Sequence, residues 1–166
     1  DEVNFLVKPK ALELVAIKDK DLFFEGDKIR FVSPEVDYLL YELPIDATNT
    51  EGGFEYEVIL KTKPATNTIE FILETKGLDF YYQPPLIIND HPKAVSVSPD
   101  QTRLYDKNGN EVMYRPENIV GSYAIYHSSK RALSNVEGGK LYKTGKFGNI
   151  LRPKITDSIG NWTWGS

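Results

Sequence analysis

The stretch that decides the fold reads Phe54-Glu55-Tyr56-Glu57-Val58-Ile59-Leu60-Lys61, then Thr62-Lys63-Pro64-Ala65-Thr66-Asn67-Thr68, then Ile69-Glu70-Phe71-Ile72-Leu73-Glu74-Thr75. In the first run Phe54, Tyr56, Val58 and Leu60 alternate with Glu55, Glu57, Ile59 and Lys61. In the second, Ile69, Phe71, Leu73 and Thr75 alternate with Glu70, Ile72 and Glu74. A period of two puts successive side chains on opposite faces of a strand. Each run therefore reads as a strand with one buried face and one mostly wet face. The segment between them is rich in turn formers. The two runs are expected to pair as an antiparallel hairpin, 54–62 with 68–75.

Outward from this pair the period of two persists. Val3, Phe5 and Val7 share one face of the first segment. Asp21–Glu25, Lys28–Val32 and Val36–Glu42 read as strands divided by Gly26-Asp27 and Ser33-Pro34. Ala11–Lys20 fits helix and strand spacing alike and is read as strand because a turn signal follows soon. Leu78–Tyr82 is a strand stopped by Pro84-Pro85. A short strand is expected around Ala94–Ser98. Thr102–Asp106 and Glu111–Tyr114 flank Asn108-Gly109, a tight-hairpin signal that asks for positive φ at both central residues. Ile119–His127 is apolar on both faces and reads as a central strand. Residues 128–140 read as a polar loop, Leu141–Leu151 and Lys154–Asp157 as strands, and Asn161–Trp164 as a terminal strand. The sum is about twelve short strands with little or no helix. It describes a single all-β domain over 1–166, an antiparallel β-sandwich of jelly-roll type. Residues 1–50 are either extra strands or an N-terminal arm.

The 166 residues suit one domain with its own core. With no Cys there is no disulfide, thiolate nucleophile or zinc–sulfur site, and with only His91 and His127 a multi-histidine metal centre is not expected. No metal or other cofactor is anticipated. No apolar run approaches the roughly 20 residues of a membrane-spanning helix, so no membrane contact is expected. The chain begins at Asp1 rather than Met, as a processed product or an excerpt of a longer chain would. The net charge of −4 hides an asymmetry: residues 1–86 carry 17 acidic and 9 basic side chains, whereas 87–166 carry 7 acidic and 11 basic. Opposite-sign regions attract each other within a chain or between copies. The acidic half argues against a nucleic-acid partner.

Motifs that carry chemistry fail on spacing. Gly139 and Gly145 have five residues between them and Phe147 follows Lys146, where a phosphate loop needs four residues and a hydroxyl. Asp106, Asn108 and Asn110 match the start of a calcium loop, but Glu111 stands where its sixth position requires Gly. Glu55/Glu57 and Glu70/Glu74 alternate on strand faces, where solvated charge opposing aggregation is the ordinary role. Asp79, Glu117 and His127 would serve a hydrolase only if they converged on one substrate. His127 beside Ser122 or Ser128 lacks the Gly-x-Ser-x-Gly elbow. Aromatics remain: Tyr81, Tyr82, Tyr114, Tyr123, Tyr126, Tyr142, Trp162 and Trp164 bury large area while keeping a polar contact. Trp162 and Trp164 share a strand face, and a terminal strand can complete a neighbour's sheet. Asn161-Trp162-Thr163 matches an N-glycosylation sequon.

Several strings look familiar together: Phe80-Tyr81-Tyr82-Gln83-Pro84-Pro85, Arg115-Pro116-Glu117-Asn118-Ile119-Val120-Gly121-Ser122-Tyr123-Ala124-Ile125-Tyr126-His127, Tyr142-Lys143-Thr144-Gly145-Lys146-Phe147 and Arg152-Pro153-Lys154-Ile155-Thr156-Asp157. They resemble a β-rich module of structural and surface proteins of tailed-phage and metagenomic origin, over roughly 50–166. The resemblance implies a virion or surface-structure role and carries no catalytic residue.

The resulting expectation is a non-enzymatic structural module of a virus (phage) particle or extracellular surface assembly. Its partners would be other copies of itself and other virion proteins. Trp162, Trp164, Lys140, Lys143, Lys146 and Arg152 are the expected interface residues. The alternative is a carbohydrate-binding module in which Tyr81 and Tyr82 stack on a glycan.

Overall fold

A computed structural model describes residues 3–12, 22–46, 52–131, 134–137 and 140–165, with backbone only at 12, 134–137 and 140–143. The described chain is all-β with antiparallel sheets: sixteen short strands and two 3-10 turns, at Lys10–Leu12 and Ile88–Asp90. By internal packing it divides into two compact units, Leu6–Glu74 and Asp1–Phe5 with Thr75–Ser166.

In the first unit, β2 (Leu22–Glu25), β3 (Lys28–Val32), β4 (Val36–Leu43) and β5 (Gly53–Leu60) form a four-stranded antiparallel sheet in chain order. The register gathers one row of apolar side chains on a single face. Leu22, Phe31, Tyr38 and Val58 face one way, as do Phe24, Ile29, Leu40 and Tyr56. Phe31 and Tyr38 are buried on this apolar face, whereas Phe24 and Phe54 near the sheet's end are 83% and 74% exposed. The opposite face mixes Phe23, the buried Leu39 and Ile59 with charge in matched pairs. Asp37 is fully buried there, 2.8 Å from Arg30 and 2.6 Å from Lys61, and Arg30 also reaches Glu25 at 3.0 Å. Lys28 lies 3.9 Å from Glu57 and 3.9 Å from the centre of the Tyr41 ring.

The hairpin expected between 54–62 and 68–75 does not form. Strand β5 pairs with β4 along its whole length, from Val36↔Leu60 to Leu43↔Gly53. The second run, β6 (Phe71–Lys76), pairs instead with β1 (Asn4–Pro9). The connection 61–70 is exposed throughout and far longer than the two to five residues of a hairpin loop. The eight-residue β4–β5 ladder satisfies more backbone groups than a pairing across that loop would. Lys8–Glu74 at 2.7 Å and Lys10–Glu70 at 3.1 Å flank the β1–β6 pair, and the Tyr56 hydroxyl donates to the Val7 carbonyl at 2.7 Å.

The second unit contains two three-stranded sheets. One has β11 (Tyr123–His127) between β7 (Leu78–Tyr82) and β14 (Lys146–Ile150). Leu78, Phe80 and Ile125 share its buried face, which Phe5 covers with its ring 6.4 Å from Phe80 and 6.0 Å from Phe147. The other sheet is β8 (Ser96–Val97), β9 (Arg103–Tyr105) and β10 (Glu111–Tyr114), with Leu104 fully buried at its centre. Two further pairs stand as hairpins, β12 (Ser134–Glu137) with β13 (Lys140–Lys143), and β15 (Lys154–Thr156) with β16 (Trp162–Trp164).

Four more boundaries differ from the sequence reading. Residues 128–140 contain a strand, Ser134–Glu137, which pairs antiparallel with Lys140–Lys143, Glu137 standing opposite Lys140. The long strand expected over 141–151 breaks at Gly145, whose φ of 75° no strand accommodates. The strand expected from Ile119 begins only at Tyr123, after Gly121 at φ 82°. Ala11 and Leu12 lie in a 3-10 turn rather than a strand, and residues 13–20 lie outside those described.

Candidate functional site

The C-terminal hairpin gathers the densest set of unusual side chains. Asp157 builds it. Its Oδ1 accepts from the backbone N–H of Ile159 at 3.0 Å and of Asn161 at 2.9 Å, and its Oδ2 accepts from the Asn161 side-chain amide at 2.9 Å. Gly160 supplies the positive φ of 90° that closes the loop. These hydrogen bonds hold the Asp157 carboxyl below its usual range, the side-chain bond from Asn161 contributing most.

On the resulting ladder, Lys154 pairs with Trp164 and Thr156 with Trp162, so both tryptophans and Lys154 lie on one face. The Trp rings meet edge to face at 5.4 Å. The Lys154 ammonium sits 4.7 Å over Trp162 and the Arg152 guanidinium 5.8 Å from Trp164. Such cation–ring contacts contribute about 0.5–1 kcal/mol at exposed sites. Trp164 is anchored: its indole N–H donates to Glu117 Oε1 at 2.7 Å. Trp162 stays 51% exposed. Arg152 donates through Nε to the Gly165 carbonyl at 2.7 Å, tying the hairpin's base.

The expected interface residues are thus only partly brought together. Trp162, Trp164 and Arg152 form one cluster. Lys146 lies on β14, opposite Tyr126. Lys140 and Lys143 lie on β13, opposite Glu137 and Ser134, and their side chains fall outside the described set. Sequence reasoning missed Lys154 and Glu117 as members of the cluster. Cross-strand register brings in the first, and a contact across 47 residues the second.

Tyr81 and Tyr82 project from opposite faces of β7. Tyr81 is covered by Arg131, whose guanidinium lies 4.0 Å over its ring and 5.0 Å from Tyr126. Tyr82 pairs with Tyr123, the two rings 5.4 Å apart and both substantially exposed. Ile150 continues the row on β14. The hydrolase set, Asp79 with Glu117 and His127, is divided among separate partners. Asp79 accepts from Ser128 at 2.9 Å, Glu117 accepts from Trp164, and His127 packs its ring against Phe147 at 5.8 Å.

One further likeness escaped the sequence reading. Asp106-Lys107-Asn108-Gly109-Asn110, between β9 and β10, builds the same loop as Asp157-Ser158-Ile159-Gly160-Asn161. Asp106 accepts from Asn108 N–H at 2.8 Å, Asn110 N–H at 2.9 Å and the Asn110 amide at 3.2 Å. Only Gly109 takes positive φ here, at 80°, so Asn108-Gly109 is not the two-residue turn the sequence implied. The shared spacing Asp-x-x-Gly-Asn, preceded by a cation three residues before the Asp (Arg103, Lys154), was the available signal.

No protein-family model, curated protein or solved structure matches this chain.

Proposed function

We propose that this chain is a non-enzymatic structural module of a virus particle or extracellular surface assembly, acting through self-association and contact with other proteins of that assembly. The observation that carries the reading is the β15–β16 hairpin. It is a two-stranded sheet, and such ribbons are marginal alone and gain stability from further strands. It displays a half-exposed Trp162, an exposed Ile155 and an exposed Ile159. Buried tryptophan and arginine anchors dominate association energy, and the hairpin offers Trp162, Trp164 and Arg152 together. The acidic side chains prominent in the sequence are engaged in ion pairs, Glu70 with Lys10 and Glu74 with Lys8. The buried Leu86, Leu104, Val120 and Ile125 support closure of the second unit as a β-sandwich, jelly-roll-like in connection.

Deletion of 161–166 tests the reading. Weakened association and a lowered melting temperature are expected; a truncated protein that associates and melts like the full chain refutes it.

A second reading, a carbohydrate-binding module, draws support from the exposed Tyr82–Tyr123 pair rather than from Tyr81. Glycan-array binding that disappears on Tyr82→Ala would establish it. The structural reading expects no glycan signal.

A further inference from the structure

The twin loops align β9 with β15 residue by residue: Arg103 with Lys154, Leu104 with Ile155, Tyr105 with Thr156, Asp106 with Asp157. The two hairpins differ in their second strands, where a bulge between Glu111 and Met113 interrupts β10 and none interrupts β16, and at their outer edges. Strand β9 carries a third strand on its outer edge, and among the described residues β15 does not. Val95 N–H donates to the Tyr105 carbonyl at 2.8 Å and Ser98 N–H to the Arg103 carbonyl at 2.9 Å, while Val97 sits opposite Leu104. Leu104 is fully buried, whereas its counterpart Ile155 is 54% exposed.

The backbone of β15 is poised in the same way. Asp157 N–H donates to the Asn161 carbonyl at 2.9 Å, and the Pro153 carbonyl accepts from Gly165 N–H at 2.8 Å, so both point toward β16. Alternation along the strand turns the N–H and C=O of Lys154 and Thr156 the other way. Among the described residues, β15 has no strand partner besides β16.

We infer that the outer edge of β15 pairs with β15 of a second copy of this chain, in antiparallel register about a two-fold axis at Ile155. This rests on the reading of the chain as a self-associating module. The internal template says what an occupant must provide: an antiparallel strand with an apolar residue opposite Ile155. A second β15 provides it. With Ile155 facing Ile155 of the copy, Lys154 falls opposite Thr156 of the copy on both sides of the axis. Their outward backbone groups exchange four hydrogen bonds, two in each Lys154–Thr156 pair as the antiparallel ladder requires. No like charges stand directly opposite, which would oppose pairing, and each Lys154 ammonium remains over its own Trp162. The product is a closed, isologous, four-stranded sheet β16-β15-β15-β16.

A chain without cysteine makes the test clean. Opposed residues in a non-hydrogen-bonded antiparallel pair have Cβ atoms roughly 4.5–5.5 Å apart, close enough for a disulfide after slight adjustment. Ile155→Cys in the full chain should form a covalent dimer under mild oxidation at low protein concentration. Ile159→Cys, more exposed still at the loop tip, should cross-link about tenfold more slowly. Thr156→Pro removes one outward N–H and none of the hairpin's own bonds. It should raise the dimer dissociation constant in sedimentation equilibrium about tenfold or more while the tryptophan emission of the hairpin stays unchanged. If the unmodified protein associates but the Ile155→Cys variant cross-links no faster than Ile159→Cys and Thr156→Pro has no effect, the β15 edge is not the interface, and the structural reading survives without it. If the unmodified protein is monomeric at every concentration, both fail.

Discussion

The Lys61 ammonium lies 2.6 Å from the Asp37 carboxylate, which is itself fully buried on the charged face of the four-stranded sheet. Arg30 approaches the other oxygen at 2.8 Å, and the Ser33 N–H donates to Oδ1 at 3.2 Å. Lys61 also donates to the Ser33 carbonyl at 2.7 Å, and the Ser33 hydroxyl to the Val36 carbonyl at 2.5 Å. The β3–β4 turn, the end of β5 and the centre of the sheet are thus joined through one carboxylate. Asp37→Asn leaves two cations facing a neutral amide. Breaking a fully buried pair costs about 3–5 kcal/mol, but Lys61 and Arg30 keep about a third of their side-chain surface in water. A loss of about 2 kcal/mol is expected in urea denaturation. Lys61→Met should cost less, since Arg30 still balances the charge.

The same carboxylate sets an acid limit. Burial pushes the Asp37 pKa up, but Lys61, Arg30 and the Ser33 N–H together outweigh it and hold the folded value below the ordinary one. Asp100 is held low by the Ser98 and Thr102 hydroxyls, Asp106 by the Asn110 backbone and side chain, and Asp157 by the Asn161 side chain. A depressed folded pKa contributes stability that is present above the unfolded value, about 4, and lost as pH falls through the folded one. Melting temperature should be insensitive to these groups above about pH 5 and fall progressively below about pH 4. Asp37→Asn should flatten that fall, a comparison made by thermal scans across pH.

Strand identity was legible in the sequence because the period of two survives wherever one face is buried. It placed Val36–Leu43, Leu78–Tyr82 and Trp162–Trp164 closely. Partner choice was legible at Asn108-Gly109, where β9 and β10 pair as expected, but not across the longer loop. Phe54–Lys61 and Ile69–Thr75 look like hairpin arms, yet ladder length and the long exposed loop send them to β4 and β1. At the candidate site, Trp162 and Trp164 on one face follow from their spacing, and the same logic puts the adjacent Tyr81 and Tyr82 on opposite faces. Cations over rings depend on cross-strand register and on distant residues such as Arg131, which no local pattern encodes.

The twin loops should respond differently to the same substitution. Asp106→Ala and Asp157→Ala each remove three local hydrogen bonds. The first loop is backed by β8 and the buried Leu104, the second by neither. Asp106→Ala should lower the global melting temperature, by about 1 kcal/mol of stability. Asp157→Ala should open the C-terminal hairpin alone. Both tryptophans of the chain lie on β16, so a red shift in fluorescence without a matching change in far-ultraviolet dichroism will report it.

Two glycines separate backbone strain from crowding. Gly109 has φ 80° and nothing within 4 Å of an added Cβ, so Gly109→Ala should cost only the left-handed penalty of about 1 kcal/mol. At Gly145, φ is 75° and an added Cβ would stand 2.5 Å from Lys130 Cβ and 3.2 Å from its backbone carbon. The Gly145 carbonyl also accepts from His127 N–H at 2.8 Å, fixing the approach. Gly145→Ala should therefore cost clearly more than Gly109→Ala in chemical denaturation, and equal losses would place the strain elsewhere.

The Trp164–Glu117 hydrogen bond is the tie that distinguishes the two tryptophans. Trp164→Phe keeps most of the apolar contact and removes only the indole donor, leaving Glu117 in reach of water. A neutral donor to a charged, solvent-accessible acceptor contributes about 1 kcal/mol. The hairpin should loosen by about that amount, with faster amide exchange at Thr163 and Ile155. Glu117→Gln retains an acceptor and should keep most of the protection, whereas Glu117→Ala should match Trp164→Phe. Trp162→Phe, at a ring with no such tie, should leave exchange at these amides unchanged. If Trp162→Phe and Trp164→Phe exchange alike, packing and not this hydrogen bond holds the hairpin in place.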